Sequence, residues 1–158
     1  MSNNKIISAE KLTTLSNRFK SLGKKIVLCH GTFDLLHIGH IKYFQEAKTL
    51  GDKLIVTVTS DKYVNKGPGR PVFNEKLRME AIASLKVVDF VALSDHITAV
   101  QVIKQVKPDI YCKGPDYKNN SQDVSNNIIK EIKTTNKYGG KIAYTNDVTF
   151  SSSKVINS

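Results

Sequence analysis

Short apolar, largely β-branched runs alternate along this chain with stretches whose apolar residues recur every three to four positions. The runs fall at residues 26–29, 54–59, 87–93, 110–112 and 141–145, and each reads as a buried strand. Between them lie amphipathic helices. Leu12, Leu15, Phe19 and Leu22 mark one face of a first helix that Ser8 caps and Gly23 ends. A second spans about 38–50, with Ile41, Phe44 and Ala47 or Lys48 continuing one face and Lys48 solvated near its end, before Gly51. Asn74 caps a third that buries Leu77, Ala81, Ile82 and Leu85 and turns Lys76 and Met79 elsewhere. A fourth covers 97–106 and stops at Lys107-Pro108-Asp109; a fifth passes through Ile128, Ile129 and Ile132 and stops at Gly139-Gly140.

This alternation predicts an α/β fold, a Rossmann-like doubly wound five-stranded parallel sheet with right-handed crossovers, in a single domain. Residues 1–23 are read as an N-terminal helix packing on the core, and residues 24–158 as the domain proper. Ligands of such sheets bind beyond the carboxyl ends of the strands, near the point where strand order reverses. The loops after the first, second, fourth and fifth strands therefore converge on one cleft.

Composition narrows the class. At 158 residues with 40% hydrophobic content, the chain has enough material for one core and no room for a second full domain. Lys and Arg number 24 against 14 Asp and Glu, a net charge of +10, which favours an anionic partner. The basic residues are scattered and no aromatic interleaves with a basic run, so phosphorylated metabolites are favoured over nucleic acid. Cys29 and Cys112 both sit inside apolar runs, which argues for reduced, buried thiols and against a disulfide framework or a cysteine-based zinc site. The opening Met-Ser-Asn-Asn-Lys has no apolar core and no run approaches bilayer length, so the expectation is a cytoplasmic protein without membrane association.

The densest chemistry is Gly31-Thr32-Phe33-Asp34-Leu35-Leu36-His37-Ile38-Gly39-His40, which turns the first strand through a loop into the second helix. Gly31 lets the backbone bend and leaves room for a phosphate. His37 and His40 share one helix face beside N–H groups without intrahelical partners, where the helix end carries roughly half a positive charge. Gly39 between them offers a flat surface to a ribose or base. The result is an anion cradle with two added donors. Lys66 and Arg70 flank a Gly-Pro-Gly turn in what reads as a mobile, phosphate-facing loop. Arg78 follows Leu77 near the cleft, and Ser151, Ser152 and Ser153 precede an apolar pair, as at a second phosphate-holding helix N-terminus.

The ten-residue string resembles the His-x-Gly-His motif of the nucleotidyltransferase superfamily, with Gly-Thr-Phe-Asp at the family spacing. Further stretches extend the resemblance to the cytidylyltransferase-like family, and most closely to adenylyltransferase modules acting on heptose phosphates in lipopolysaccharide synthesis. They are 50–56, 69–72, Arg78-Met79, 88–91 and 107–117, so that the match runs from about 24 to 157. The 65–75 and 150–153 stretches look like a subgroup in which the module is fused to a sugar-kinase-like domain.

The resemblance implies an enzyme that transfers AMP or CMP from a nucleoside triphosphate to a sugar phosphate, heptose-phosphate-like, or a related phosphorylated alcohol, with release of pyrophosphate. By the same resemblance His37 and His40 stabilise charge on the α-phosphate, while backbone at Gly31, Thr32 and Phe33 contacts the triphosphate. Lys66 closes over the phosphates, and Arg70 and Arg78 serve the phosphate cluster or the acceptor. Lys113, Gly114, Asp116 and Tyr117 line the nucleotide or acceptor side, and Ser151, Ser152 and Ser153 meet the departing pyrophosphate. Mg2+ is expected with the nucleotide, since no carboxylate cluster announces a protein-built metal site. A homodimer is an expectation of resemblance alone. Glycerol-phosphate cytidylyltransferases carry an arginine where this chain has Asn146-Asp147, which weakens that acceptor and leaves the base open between adenine and cytosine. The alternatives are a non-catalytic nucleotide-binding or regulatory module of a larger sugar-kinase fusion, and a class I aminoacyl-tRNA synthetase fragment, for which no tRNA-binding domain is present.

Overall fold

The computed structural model describes residues 4–64, 67–115 and 127–146. Its strands are β1 Ile26–Gly31, β2 Lys53–Thr59, β3 Phe90–Ser94, β4 Ile110–Lys113 and β5 Lys141–Tyr144; its helices are α1 Leu12–Ser21, α2 Ile38–Lys48, α3 Glu75–Ala83, α4 Val100–Val106 and α5 Asn127–Lys137. The five strands form one parallel sheet in the order β3-β2-β1-β4-β5, the doubly wound Rossmann-like arrangement read from the sequence. Strand order reverses between β1 and β4, where Cys29 stands opposite Cys112. Both cysteines are buried and free, and burial pushes the Cys29 thiol up.

Each sheet face is covered because every strand is apolar on both sides, as a parallel sheet requires. Val27, Cys29, Val56 and Val58 pack with Phe44 and Ala47 of α2 and Ile82 of α3. Leu28, Ile55 and Ala92 pack with Leu12 and Phe19 of α1 and with Val102, Ile103 and Val106 of α4. Side chains then lock helices to distant backbone. The Ser16 hydroxyl donates to the Val106 carbonyl, and the Tyr43 hydroxyl donates from α2 to the Cys112 carbonyl of β4. Residues before α1 reach the sheet edge, where the N–H of Ile7 donates to the Val91 carbonyl at 2.9 Å.

Several boundaries differ from the pattern reading, each for a local reason. The strand expected at 87–93 begins at Phe90, because Leu85 to Val88 form a turn in which the Leu85 N–H donates to the Ile82 carbonyl of α3 and the Val88 N–H to the Leu85 carbonyl. Val88 is nonetheless buried, so that one apolar run serves a turn and then a strand. The fourth helix starts at Val100, and Ile97 is 70% exposed. The first helix is preceded by a 3-10 turn at Ala9–Lys11, the Ser8 side chain caps nothing, and Leu22 lies outside the buried face at 63% exposure. On α3, Leu77 is exposed and the next residue, Arg78, is buried in its place, while Met79 packs against the core. Lys48 is tied to Asp89 at 2.5 Å and to the Asp52 carbonyl at 2.9 Å.

One buried histidine lies on the sheet itself. The His30 ring has its Nδ1 2.9 Å from the Thr57 hydroxyl, and burial, aided by the Lys113 charge, lowers its pKa from 6.5 to about 3. Below pH 6.5 the unfolded chain takes up a proton that the folded ring refuses, so stability falls as pH drops through this window. By about pH 5 the loss is roughly 2 kcal/mol, before ordinary carboxylates contribute. Urea unfolding followed from neutral pH to about pH 5 should show this decline, and His30→Gln should flatten it. An unchanged slope in the variant would assign the acid sensitivity elsewhere.

Candidate active site

The loop between β1 and α2 turns on Phe33, whose φ of 50° lies in the left-handed region. For a residue with a bulky side chain that conformation costs about 1 kcal/mol or more. It drives the ring back into the protein, where it meets His40 edge-on at 5.4 Å and Phe44 at 5.0 Å between centroids. A Cβ placed on Gly31 would lie 2.9 Å from that ring. The space at Gly31, expected to admit a phosphate, is therefore filled by Phe33. Glycine is needed here for packing.

His37 is the N-cap of α2 and, with His40, forms a reciprocal cap. The Gly39 N–H donates to His37 Nδ1 at 3.1 Å, and the His37 N–H reaches His40 Nδ1 at 3.4 Å. A nitrogen that accepts carries no proton, so each neutral ring carries its proton on Nε2. The rings stack at 3.9 Å with 24° between their planes, which keeps the two donors close together. Burial lowers the His37 pKa, and among the described residues its buried Nε2 has no hydrogen-bond partner. A buried N–H without an acceptor is costly, and an anion oxygen at the helix N-terminus would satisfy it.

Two further side chains, of opposite charge, hold the loops that surround this helix end. The Asp34 carboxylate accepts the N–H of Val72 at 2.7 Å, the N–H of Phe73 at 3.1 Å and the Nε–H of Arg70. Burial alone would raise its pKa, but these donors and the Arg70 charge hold it below the ordinary 3.8. Arg70 thus sits at the cleft with its Nε on Asp34. Arg78 is placed differently from its expected phosphate or acceptor contact. It is 2% exposed, and its N–H groups donate to the carbonyls of Phe73 at 3.0 Å and of Thr32 and Thr59 at 2.8 Å each, and to the Asp61 carboxylate at 2.6 Å. That correction has a physical reason: its N–H groups are already spent on four protein oxygens, behind the loop.

On the far side of β1, Lys113 ends β4 and is buried, with its ammonium 3.3 Å from the Tyr111 hydroxyl. A Cβ on Gly114 would meet no atom, so the chain is open there. The N–H of Asn146, just past β5, donates to Glu46 of α2 at 2.8 Å and draws the end of the sheet toward the histidine helix. Lys66, Asp116, Tyr117, Ser151, Ser152 and Ser153 lie outside the described residues. Among the described residues, no group of three or more His, Cys, Asp or Glu is arranged to hold a metal, and no helix is long and apolar enough to cross a membrane.

Of the residues singled out in the sequence, the structure sets His37, Gly39 and His40 at the start of α2, Arg70 on Asp34 and Lys113 at the end of β4. Sequence reasoning read Asp34 only as part of a motif, and it missed Tyr111 and Glu131. For Asp34 the signal was present, since an acid between an apolar strand and a helix, opposite an Arg-Pro loop, has few other uses.

A doubly wound parallel sheet with a histidine-capped helix at its switch point is the arrangement that the likeness to nucleotidyltransferases leads one to expect. The cytidylyltransferase-like family model matches residues 28–158, and the chain belongs to that family. It is 43% identical over 134 residues to the bifunctional protein HldE of a Nitratiruptor species, covering 84% of this chain and 29% of that protein. To the bifunctional protein HldE of Campylobacter jejuni (strain RM1221) it is 42% identical over 154 residues, covering 96% of this chain and 31% of that protein. The chain therefore spans less than a third of the length of these curated relatives. Among solved structures it is similar to a lipopolysaccharide core biosynthesis protein from Thermoplasma volcanium GSS1, with TM-score 0.66 and 34% identity over 80% of this chain and 99% of that one. A pantoate-beta-alanine ligase from Francisella tularensis, at 15% identity, TM-score 0.64 and 96% and 72% coverage, shares the fold.

Replacing Arg78 by Met keeps most of its volume but strands three carbonyls and an aspartate. The expected loss is about 3 kcal/mol in chemical denaturation at neutral pH, with Arg78→Lys recovering only part because an ammonium lacks the fork of donors. A loss below about 1 kcal/mol in the Met variant would show that the loops do not depend on it.

Proposed function

We propose that this domain transfers AMP or CMP from a nucleoside triphosphate to a sugar phosphate, heptose-phosphate-like or a related phosphorylated alcohol, and releases pyrophosphate. The observation that carries the reading is the pair of stacked imidazoles, each set by its cap as an Nε2–H donor, one of them buried without a hydrogen-bond partner among the described residues. The relatives support the acceptor class, since the similar Thermoplasma protein is a lipopolysaccharide core biosynthesis protein. The remaining two thirds of the HldE relatives would hold a sugar-kinase-like domain, consistent with the word bifunctional in their names.

In this reaction an ionised oxygen of the acceptor phosphate attacks the α-phosphorus. One oxygen–phosphorus bond forms, the bond to the bridging oxygen of the β-phosphate breaks, and pyrophosphate carries away the electron pair. No strong general base is required, because the nucleophile is already ionised near neutral pH. The protein's task is to position and to stabilise developing charge. His37 and His40 donate from Nε2 to the α-phosphate oxygens. Backbone of Gly31, Thr32 and Phe33 borders the triphosphate, and Gly39 leaves a flat face for ribose or base. Arg70, and Lys66 beside it in the chain, face the β- and γ-phosphates. Lys113, Gly114, Asp116 and Tyr117 border the nucleotide or acceptor, and Ser151, Ser152 and Ser153 receive the leaving pyrophosphate. Magnesium enters as part of the nucleotide substrate and screens its charge.

The test crosses ATP and CTP, with magnesium, against heptose, hexose, pentose and glycerol phosphates, with pyrophosphate release as the readout. One nucleotide and one acceptor class should turn over, and His40→Ala should lower the rate on the order of a hundredfold to a thousandfold. If no pair turns over while a nucleotide still raises the melting temperature, the domain is a nucleotide-binding module of a larger protein.

A further inference from the structure

A chain of buried polar groups runs beneath the β4 side of the cleft, separate from the anion loop and from the Arg78 link. Glu131 of α5 is buried, and one carboxylate oxygen accepts the Tyr111 hydroxyl at 2.6 Å while the other accepts the Ala99 N–H, just before α4, at 3.1 Å. The same phenol oxygen lies 3.3 Å from the Lys113 ammonium, which also sits 5.2 Å from the centre of the Tyr111 ring. Tyr111 is wholly buried and Lys113 is 6% exposed. One phenol therefore joins a buried carboxylate to a buried ammonium, its proton directed to the acid and a lone pair to the base.

Two ions removed from water cost several kcal/mol each unless well paired, and a Phe and a Leu would fill the same volume without that cost. The bond from Ala99 to Glu131 joins the start of α4 to α5, and the bond from Tyr111 to Glu131 ties α5 to β4; neither needs Lys113. What the phenol adds is its contact with Lys113. That lysine is the last residue of β4, the strand beside β1 at the switch point, and its charge is felt at His30, the residue before Gly31.

We propose that Glu131 and Tyr111 are positioning residues that hold the Lys113 ammonium as a fixed positive charge at the carboxyl end of β4, on the nucleotide or acceptor side of the cleft. The proposal rests on the nucleotidyltransferase reading above. Its consequence is that a glutamate on the last helix, away from the anion loop, sets part of the affinity for the nucleotide.

The decisive variant is Tyr111→Phe, which keeps the ring and its packing and removes one oxygen. Dissociation constants for magnesium-ATP and magnesium-CTP are measured by titration calorimetry on the full chain, on this variant, on Lys113→Met and on the double variant. Tyr111→Phe should weaken binding of the preferred nucleotide about tenfold, the usual effect of losing a hydrogen bond to a charged group. Lys113→Met should weaken it at least as much. The double variant should be no worse than Lys113→Met, because the phenol acts through the lysine. Glu131→Gln, whose amide oxygen still accepts the phenol proton, should fall between wild type and Tyr111→Phe. Binding by Tyr111→Phe within about twofold of wild type, with only the melting temperature lowered, would make the chain purely structural, as would additive losses in the double variant. Wild type that binds neither nucleotide would instead sink the transferase reading itself.

Discussion

The guanidinium of Arg78 is the fixed point on which the carboxyl edge of the sheet depends. It draws together the carbonyls of Thr32, Thr59 and Phe73 and the carboxylate of Asp61, four groups from the loops after β1 and β2 and from the turn into α3. Loops at a sheet edge ordinarily satisfy their backbone through water. Here a cation gathers acceptors and, a short distance along the same loops, the Asp34 anion gathers donors from Val72, Phe73 and Arg70. Each side chain is buried, and each is neutralised by what it collects. The strained Phe33 between them is tolerated because Thr32 on one side and Asp34 on the other are both held.

Much of this was legible in the residues. A parallel sheet followed from strand-like runs alternating with helical spacing, while the strand order, with its reversal between β1 and β4, did not. The pair of histidines one helical turn apart was recognisable because glycine and a helix start accompany it. Other features were hidden for definite reasons. An arginine inside a helix reads as surface, and only partners 5 to 46 residues away reveal that Arg78 is core. Leu77 looked like a core residue because periodicity cannot tell which of two neighbours a buried ion pair has displaced. The run from Leu85 to Leu93 is largely apolar, and hydrophobicity alone does not mark where a turn gives way to a strand. Glu131 appeared as one acid among the polar positions of an amphipathic helix, and its partners at Ala99 and Tyr111 come from other elements.

The histidines also show how structure and chemistry share atoms. A helix N-terminus is commonly capped by a hydroxyl or a carboxylate, whose oxygen accepts a backbone N–H. In α2 imidazole nitrogens do this, so the same hydrogen bonds that end the helix decide which ring nitrogen bears a proton. The donors are prepared before any ligand arrives. Such preparation lowers the reorganisation that would otherwise accompany charge development.

Placing β1 at the centre of the sheet has a consequence for how the chain is made. One edge of β1 pairs with β2 and the other with β4, whose residues lie more than eighty positions further along; even the N–H of Ile26 waits for the Asp109 carboxylate. During synthesis this apolar strand therefore emerges early with an open hydrogen-bonding edge, and that edge stays open until residues 110–113 leave the ribosome. Closure across so long a loop is slow compared with local helix formation, and open apolar edges invite pairing with other chains. The turn that carries the two histidines is among the first parts of the domain to be translated, and the strand leading into it is paired on both edges only after residues 110–113 have followed.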